Sequence, residues 1–329
     1  MKYIALALAY ASTVWAAQTT LYTELPEDCP TPDAFAVAPD GTLTLSCPNY
    51  APGGYSGALL SISKDRKIRR LPDYTIPGFS GKIRPMGLAY GPDGTLFVNS
   101  NGRVLALSFE EQTVTTEIIA HGISGPNGLR CHNGALYVTV PQMAGIKKDR
   151  NVGGVYRFQI SERDVKVSNS TADKHLIFTS ETKNSEKQFG LDGLAFDQKG
   201  HLYVGDFGDG TVFRLTLDRS GKVVDSAHYA DLNTTGIDGM IFDKRGHLIV
   251  CGFSKNALYS VAPNGTVTTV VQYPDNDGSN GELDQPVDLV FFDGKLVISN
   301  FDLMSEPTMV NRSHGKPYTL SFLEVDWIP

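Results

Sequence analysis

A short phrase recurs six times along the chain and constrains its fold more than any other feature. Each copy is an apolar run, a tight turn that contains glycine, and an alternating run rich in Val, Leu and Tyr. That order is typical of a two-residue β-hairpin, because glycine supplies the positive φ that the turn needs. The copies begin at anchor residues Asp33, Met86, Asn127, Asp192, Asp238 and Val287.

The spacing of these anchors predicts a ring of six similar β-sheets. The average interval is about 51 residues, and two further strand signals usually follow each hairpin. Six such units fill residues 17–329. We therefore predict an all-β, six-bladed β-propeller that forms one domain. The sixth unit has only three strands, and the alternating run at residues 19–25 belongs to no other unit, so we expect this N-terminal strand to close the ring.

The first sixteen residues predict the compartment. They carry one lysine, an apolar stretch and small residues, which is typical of a secretory signal peptide and too short to span a bilayer. No later run reaches 18 apolar residues, so we expect a monomer that is secreted or resides in the secretory-pathway lumen, without a membrane partner. Four sequons agree with that route and predict glycans at Asn169, Asn233, Asn264 and Asn311.

Four cysteines in an oxidising compartment allow three pairings. Cys29 and Cys47 flank one predicted hairpin, so we predict a disulfide between them. Cys131 and Cys251 lie in apolar strands of units that are not neighbours, and we expect two buried free thiols.

Charge and motif content exclude several classes of function. The chain has 29 Lys and Arg against 36 Asp and Glu, a net charge of -7, so it lacks the basic surface that nucleic acids require. It contains no G-x-S-x-G elbow and no H-x-x-x-H zinc spacing, which disfavours a Ser-His-Asp hydrolase. His121, six residues before an anchor, is a minor acid/base candidate. We expect a small molecule as the partner.

Strand direction sorts the polar residues onto two faces. If each innermost strand runs from its anchor to the glycine turn, the anchors share the upper face with the loops that follow the second strands. Those loops add Asn99, Gln142, Asp206, Asn300 and Asp302.

Carboxylates that converge on an axis repel one another unless their pKa values shift or a cation binds. Oxygen ligands suit Ca²⁺ or Mg²⁺ rather than Zn²⁺, and we take Ca²⁺ as the expected ion. Its predicted ligands are Asp33, Asn127, Asp192 and Asp238. The alternative is that these side chains only bond backbone groups where each inner strand begins.

Four phrases resemble the senescence marker protein/gluconolactonase-like family: Asn127-Gly128-Leu129, Asp192-Gly193-Leu194-Ala195-Phe196, Gly205-Asp206-Phe207 and Asp238-Gly239-Met240. The resemblance implies a six-bladed propeller with one divalent cation in its channel. It makes Asp238 the metal-binding, base-like aspartate and Asn127 the asparagine that touches metal or substrate. Two residues depart from the family's lactonases: Asp33 stands where they have a glutamate, and Asp192 where they have an asparagine.

The leading hypothesis is a metal-dependent hydrolase of a small lactone or ester. The cation polarises the carbonyl, and Asp238 or Asp192 takes a proton from the attacking water. Substrate contacts are expected from Asn127, Met86, Asp206 and Asn300.

Two other classes of function are open. The fold is similar to that of fungal hetero-Diels–Alderases of secondary metabolism that act on tropolone-type terpenoid precursors, which need a shaped apolar pocket and no cation. Met86, Phe253 and Phe301 would line such a pocket. A non-enzymatic module that binds a protein or carbohydrate on its upper face is the third hypothesis.

Overall fold

A computed structural model describes residues 17–51, 54–111, 113–146, 149–303 and 309–324. Within these ranges the regular structure is β-strand, apart from one 3-10 turn at Phe253–Lys255. The predicted all-β class is confirmed. None of the helical structure in these ranges is long and apolar enough to cross a membrane. The predicted signal peptide, residues 1–16, lies outside the described residues.

In the described ranges, twenty-five strands make up six sheets. The first thirteen are β1 Thr20–Glu24, β2 Phe35–Val37, β3 Leu43–Cys47, β4 Ala58–Ile62, β5 Ile68–Arg70, β6 Pro85–Tyr90, β7 Leu96–Ser100, β8 Arg103–Glu110, β9 Thr113–His121, β10 Leu129–His132, β11 Ala135–Val140, β12 Val152–Gln159 and β13 Val165–Lys166. The others are β14 Leu176–Glu181, β15 Leu191–Phe196, β16 Leu202–Asp206, β17 Thr211–Leu217, β18 Val223–Asp231, β19 Ile237–Phe242, β20 Leu248–Gly252, β21 Ala257–Val261, β22 Val267–Gln272, β23 Pro286–Phe292, β24 Lys295–Asn300 and β25 Thr319–Glu324.

Each sheet is one blade of a closed ring. Blade one is β2–β5, blade two β6–β9, blade three β10, β11, β12 and β14, blade four β15–β18, blade five β19–β22, and blade six β23–β25 with β1; β13 adds in parallel to the edge of blade two. The innermost strands β2, β6, β10, β15, β19 and β23 contact one another in that order, and β23 contacts β2. The six-bladed propeller is confirmed.

The N-terminal strand closes the ring as predicted. Strand β1 pairs antiparallel with β25, with Thr20 opposite Phe322 and Glu24 opposite Thr319. The outer strand of blade six is therefore supplied from the other end of the chain, which covers an edge that would otherwise be free to pair.

Glycines after the anchors let neighbouring inner strands touch. A Cβ atom on Gly193 would lie 2.0 Å from the carbonyl oxygen of Asp238, and one on Gly128 would lie 2.7 Å from that of Asp192. The equivalent glycines of blades two and five make the same approach. Because any side chain here would push the next blade away, these glycines hold the anchors close together around the axis.

Blade six replaces the glycine contact with side-chain hydrogen bonds. Asp288 stands at the position that is glycine in blades two to five, and its Oδ2 accepts from the backbone N–H of Phe35 in blade one at 2.9 Å. Ser299 Oγ donates to the carbonyl oxygen of Asp33 at 2.6 Å. These two bonds join the last inner strand to the first.

The disulfide and the two free thiols are as the sequence predicts, except that only one of the two thiols is fully buried. Cys29 and Cys47 form a disulfide that ties the chain before blade one to its strand β3. Cys131 and Cys251 are free thiols; Cys251 is buried and Cys131 is half-buried.

The sequons differ in exposure. Asn233 and Asn264 are exposed, whereas Asn169 is half-buried and its amide donates to the carbonyl oxygen of Gly122 at 2.7 Å. Asn311 is buried, and its Nδ2 donates to Asp302 Oδ1 at 3.1 Å. A glycan on a buried amide has no path to solvent, so the expected glycan at Asn311 does not fit this folded conformation. Glycans at the other three positions remain predictions.

The glycine contact at the axis makes a prediction about stability. Replacement of Gly193 by Ala should lower the free energy of unfolding by about 2 kcal/mol or more, because the new methyl group meets backbone that cannot rotate away. Urea denaturation followed by circular dichroism measures this loss.

Gly315→Ala is the matched control, because a Cβ there meets no atom within 4 Å. We expect Gly315→Ala to change stability by less than about 0.5 kcal/mol. Equal effects of the two substitutions would contradict the role of Gly193 in the close approach of the blades.

Candidate functional site

The predicted metal ligands meet at one end of the channel. Asp33, Asn127, Asp192 and Asp238 all line one cavity of about 20 Å³. That volume suits a single water molecule or ion. Asp33 and Asp192 are buried, whereas Asp238 and Asn127 are partly exposed.

Irregular strand pairing surrounds the two central aspartates. In blade four the register shifts between Leu191 and Leu194, the interval that contains Asp192. In blade five it shifts between Ile237 and Met240, around Asp238. Bulges of this kind re-aim side chains, so the same irregularity in neighbouring blades presents both carboxylates to the cavity.

Two carboxylate oxygens in this cavity have no partner. Asp33 Oδ2 and Asp192 Oδ1 are buried and accept no hydrogen bond from any part of the chain that the structure describes. A buried polar atom left unpaired is costly to the folded state. Hydrogen bonding to the strand starts therefore leaves these two oxygens unsatisfied, and either a proton or a bound cation would satisfy them.

The carboxylates also act on one another. Burial, aided by the charge of Asp288 and opposed by that of Arg130, raises the pKa of Asp33 to about 8. Burial is the largest cause of the raised pKa of Asp192, and the charges of Asp33 and Asp206 add to it. The pKa of Asp238 rises through burial and then through Asp192 and Asp33. Like charges are thus concentrated in a space that excludes most water.

Arg130 and Asp288 complete the cavity. Arg130 was not among the residues predicted from the sequence. Arg130 Nη2 lies 3.1 Å from Asp288 Oδ1, so one positive charge stands among the acids. The sequence does contain a signal for Arg130. The phrases that begin at Met86 and Asp192 have alanine at their fourth position, whereas the phrase that begins at Asn127 has the charged Arg130 there.

The residues present fit a hard divalent cation. Asp33, Asp192 and Asp238 with the Asn127 amide oxygen form an all-oxygen donor set, and Ca²⁺ accepts such sets with irregular geometry. In the described ranges no three His, Cys, Asp or Glu side chains already stand at metal-binding distances from a common point. Binding would therefore require side-chain adjustment, with water completing the coordination shell.

A larger pocket shares Asn127 with the acidic cavity. Its volume is about 300 Å³, and it is lined by Tyr50, Met86, Ser124, Gly125, Pro126, Asn127, Pro141, Gln142 and Phe189. Met86 stands where the sequence placed it. Ser124 Oγ already donates to the carbonyl oxygen of Gln142 at 2.7 Å. The Asn127 side-chain amide shows no hydrogen bond to the described residues and is available to a ligand.

An aromatic cluster covers the neighbouring part of the upper face. Phe189, Phe207, Phe253 and Phe301 pack with Val287 and Met309. Phe253 and Phe301 were expected to line an apolar pocket together with Met86, but they belong to this packed cluster and not to the lining of the larger pocket. The Tyr50 ring centroid lies 6.4 Å from that of Phe301. Tyr50 was missed, although it follows the second strand of blade one and the strand-direction rule would have found it.

Two expected substrate contacts are instead structural. Asp206 Oδ1 accepts from the backbone N–H of Asp209 at 2.9 Å. Asn300 Nδ2 donates to Thr319 Oγ1 at 3.0 Å and to Ser321 Oγ at 2.8 Å. Both side chains are buried, and neither lines the acidic cavity or the larger pocket. The substrate-binding assignment of Asp206 and Asn300 is corrected accordingly.

His121 is also far from the channel. It ends β9, the fourth strand of blade two, and its Nε2 lies 3.4 Å from Asp164 Oδ1. The acid/base role considered for it is therefore wrong. Asn99 does contribute to the site, because its amide donates to the carbonyl oxygens of Asn127 at 2.8 Å and Gly128 at 3.2 Å.

Fold and site together define a six-bladed β-propeller with an acidic centre on its axis. The chain belongs to the SMP-30/gluconolactonase/LRE-like family, whose model matches residues 74–280. Among curated proteins, no sequence matches the chain significantly.

Solved structures share this fold at low sequence identity. A luciferin-regenerating enzyme is 13% identical, with a TM-score of 0.64, and the match covers 94% of this chain and 96% of that one. A gluconolactonase from Xanthomonas campestris is 16% identical, with a TM-score of 0.59 and coverage of 93% and 94%. Regucalcin from Agrobacterium tumefaciens, described as a calcium-binding protein, is 15% identical, with a TM-score of 0.60 and coverage of 93% and 92%.

The repulsion in the cavity predicts an unusual effect of Asp192→Asn. The raised pKa of Asp192 means that chelator-treated protein loses stability as the pH rises from about 4 towards neutrality, because the folded state binds the proton more tightly. At pH 7.5 the variant should be more stable than the unchanged protein by about 1 kcal/mol or more, and at pH 4 the difference should vanish.

Asp173→Asn is the control of opposite sign. Its carboxylate accepts from the backbone N–H groups of Ser168 and His175, and these bonds lower its pKa. Asp173→Asn should therefore cost about 1 kcal/mol at pH 7.5. Thermal denaturation with chelator at both pH values measures the differences, and a loss of stability in both variants would refute the repulsion.

Proposed function

We propose that this protein is a secreted, divalent-cation-dependent hydrolase of a small apolar lactone or ester. The observation that carries the proposal is the connection between two spaces. Buried carboxylates with unpaired oxygens line the inner one, and Asn127 joins it to an apolar pocket of about 300 Å³, within the usual range for small ligands.

The residues divide into holding and reacting groups. Asp33, Asp192 and the Asn127 oxygen would only hold the cation, which when bound polarises the substrate carbonyl as a Lewis acid. Asp238, the fourth ligand, would both hold the cation and react. Asp238 is the more exposed of the three acids, so it is the group that water can reach. We assign to its carboxylate the acceptance of a proton from the attacking water.

The surrounding groups position the substrate. Asn99 fixes the backbone of Asn127 and Gly128 through one hydrogen bond to each carbonyl oxygen, which leaves the Asn127 side chain at a defined place between the two cavities. Arg130 is held by Asp288 on the cavity wall. Its positive charge limits the repulsion among the acids without removing it, since the pKa of Asp33 remains raised.

The pocket lining indicates the substrate class. Tyr50, Met86 and Phe189 present apolar surface, and the Gln142 Nε2 donor is already used on the carbonyl oxygen of Gln188 at 2.8 Å. A polyhydroxylated lactone would find few partners for its hydroxyl groups there beyond the Asn127 amide, which is unfavourable. An aromatic or alkyl lactone gives up fewer hydrogen bonds to water when it enters the pocket.

The predicted signal peptide and one disulfide bond support the proposed secretion. The Cys29–Cys47 disulfide suits an oxidising compartment, as does the predicted signal peptide. We accordingly expect the mature protein in the secretory-pathway lumen or outside the cell, with glycans at the exposed Asn233 and Asn264.

A pericyclic reaction is the second candidate function, and the apolar pocket favours it. A hetero-Diels–Alder cycloaddition needs two reactants held in an aligned arrangement and no proton acceptor. Turnover that persists after chelation and in Asp238→Asn would support this function over hydrolysis. A purely binding module is less favoured, because the pocket of about 300 Å³ adjoins buried acids.

The hydrolytic mechanism predicts the effect of Asp238→Asn. With an aryl lactone as substrate, kcat should fall by roughly two to four powers of ten while the melting temperature is retained, because a proton acceptor is lost and the fold is not. EDTA should abolish turnover in the unchanged protein, and added Ca²⁺ should restore it. Unchanged turnover in both tests contradicts hydrolysis at this centre.

The pocket lining predicts substrate preference. The kcat/KM for dihydrocoumarin, a bicyclic aromatic lactone, should exceed that for gluconolactone by at least about tenfold. Phe189→Ala should raise KM for the aromatic lactone about tenfold and leave KM for gluconolactone little changed. Tyr55→Ala, at a side chain that is 65% exposed, is the control. Preference for gluconolactone would contradict the substrate class while leaving hydrolysis intact.

A further inference from the structure

A second group of buried oxygen ligands lies beside blade six, outside the channel. Asp284, Asp302 and Asn311 are 2%, 6% and 1% exposed. They come from the loop before β23, the loop after β24 and the segment that precedes β25. Three separate stretches of chain thus bring polar side chains to one buried place.

Hydrogen bonds draw the three stretches together around Asp302. Its Oδ1 accepts from Asn311 Nδ2 at 3.1 Å, and its Oδ2 accepts from the backbone N–H of Gly315 at 3.0 Å. The backbone N–H of Asp302 donates to the carbonyl oxygen of Asp284 at 3.3 Å. The carboxyl groups of Asp284 and Asp302 are themselves within hydrogen-bond reach of each other.

Two oxygens in this group have no partner. Asp284 Oδ1 and Asn311 Oδ1 are buried and accept no hydrogen bond from the described chain. Both belong to side chains that contact Asp302, whose carboxylate oxygens retain free lone pairs after accepting one donor each. The group therefore has an excess of acceptors over donors.

Nearby negative charges add to the effect of the excess acceptors. Asp275 and Asp277 lie close enough to act on Asp284 in the same direction as Asp302 does. The imidazole of His314 approaches the pair, with Nδ1 3.4 Å from Asp302 Oδ2, but that nitrogen also donates to the carbonyl oxygen of Asp302. One imidazole already engaged with the backbone cannot satisfy the unpaired oxygens of Asp284 and Asn311.

We propose that Asp284, Asp302 and Asn311 form a second Ca²⁺ site. Two carboxylates and one amide oxygen provide hard ligands of the type that Ca²⁺ prefers, and water would complete its six to eight ligands. A cation bound there would tie the start of blade six to the segment that carries Met309, a member of the aromatic cluster. Its role is structural, and it does not depend on the reaction at the channel.

The test counts Ca²⁺ ions in the purified, full-length mature protein. Protein is stripped with EGTA and titrated with Ca²⁺ by calorimetry, with the bound metal confirmed by elemental analysis. Asp284→Asn should lower the number of bound ions by one, and Asp277→Asn, on the same loop but exposed, should leave it unchanged. Asp238→Asn reports the channel separately, so a failure of that site and a failure of this one are distinguishable.

Asn311→Asp should strengthen Ca²⁺ binding where Asp284→Asn abolishes it. It also keeps the proposal testable if Asp284→Asn does not fold. An added carboxylate should tighten Ca²⁺ binding at this site at least tenfold and increase the rise in melting temperature that Ca²⁺ causes. An ion count that Asp284→Asn leaves unchanged, or a Ca²⁺ affinity that Asn311→Asp leaves unchanged, would overturn the proposal. The two carboxyl groups would then be held together by a shared proton.

Discussion

The close approach of the inner strands governs the rest of this structure. Each blade must bring backbone to within van der Waals contact of the next, and the glycines after the anchors make that approach possible: a Cβ on Gly193 would lie 2.0 Å from the Asp238 carbonyl oxygen. Where blade six lacks the glycine, Asp288 bonds the backbone of Phe35 instead. The ring can close only at this short spacing, and it therefore forces the anchor side chains into a narrow space.

That space explains the chemistry of the centre. Asp33, Asp192 and Asp238 meet there with few donors, so two of their oxygens have no partner in the described chain and their pKa values rise. Arg130 supplies one positive charge, but it is paired with Asp288. The clustered carboxylates lower the stability of the metal-free fold. The same cluster would favour the binding of a divalent cation. Burial of Asp33 and Asp192 keeps most water away from this charged centre, which strengthens the electrostatic interactions within it.

Much of the fold and part of the site followed from the sequence. The hairpin repeat has a fixed period and a fixed turn chemistry, so the blade count, the closing strand and the convergence of the anchors could be predicted. Side-chain orientation at strand ends could not, because it depends on bulges and on local hydrogen bonds that the repeat does not encode. Asp206 and Asn300 were placed on the correct face but turn inward to bond Asp209 and Thr319. The strand-direction rule placed Asp302 on the upper face, but Asp284 and Asn311 lie in loops without a repeat, and no pattern indicated that the three side chains meet.

A crystal structure of the protein grown with Ca²⁺ tests the central claim most directly. The account predicts electron density for one ion on the propeller axis, at roughly 2.3–2.6 Å from carboxylate oxygens of Asp33, Asp192 and Asp238. A water molecule at that position in saturating Ca²⁺, with the three carboxylates turned away from one another, would contradict it.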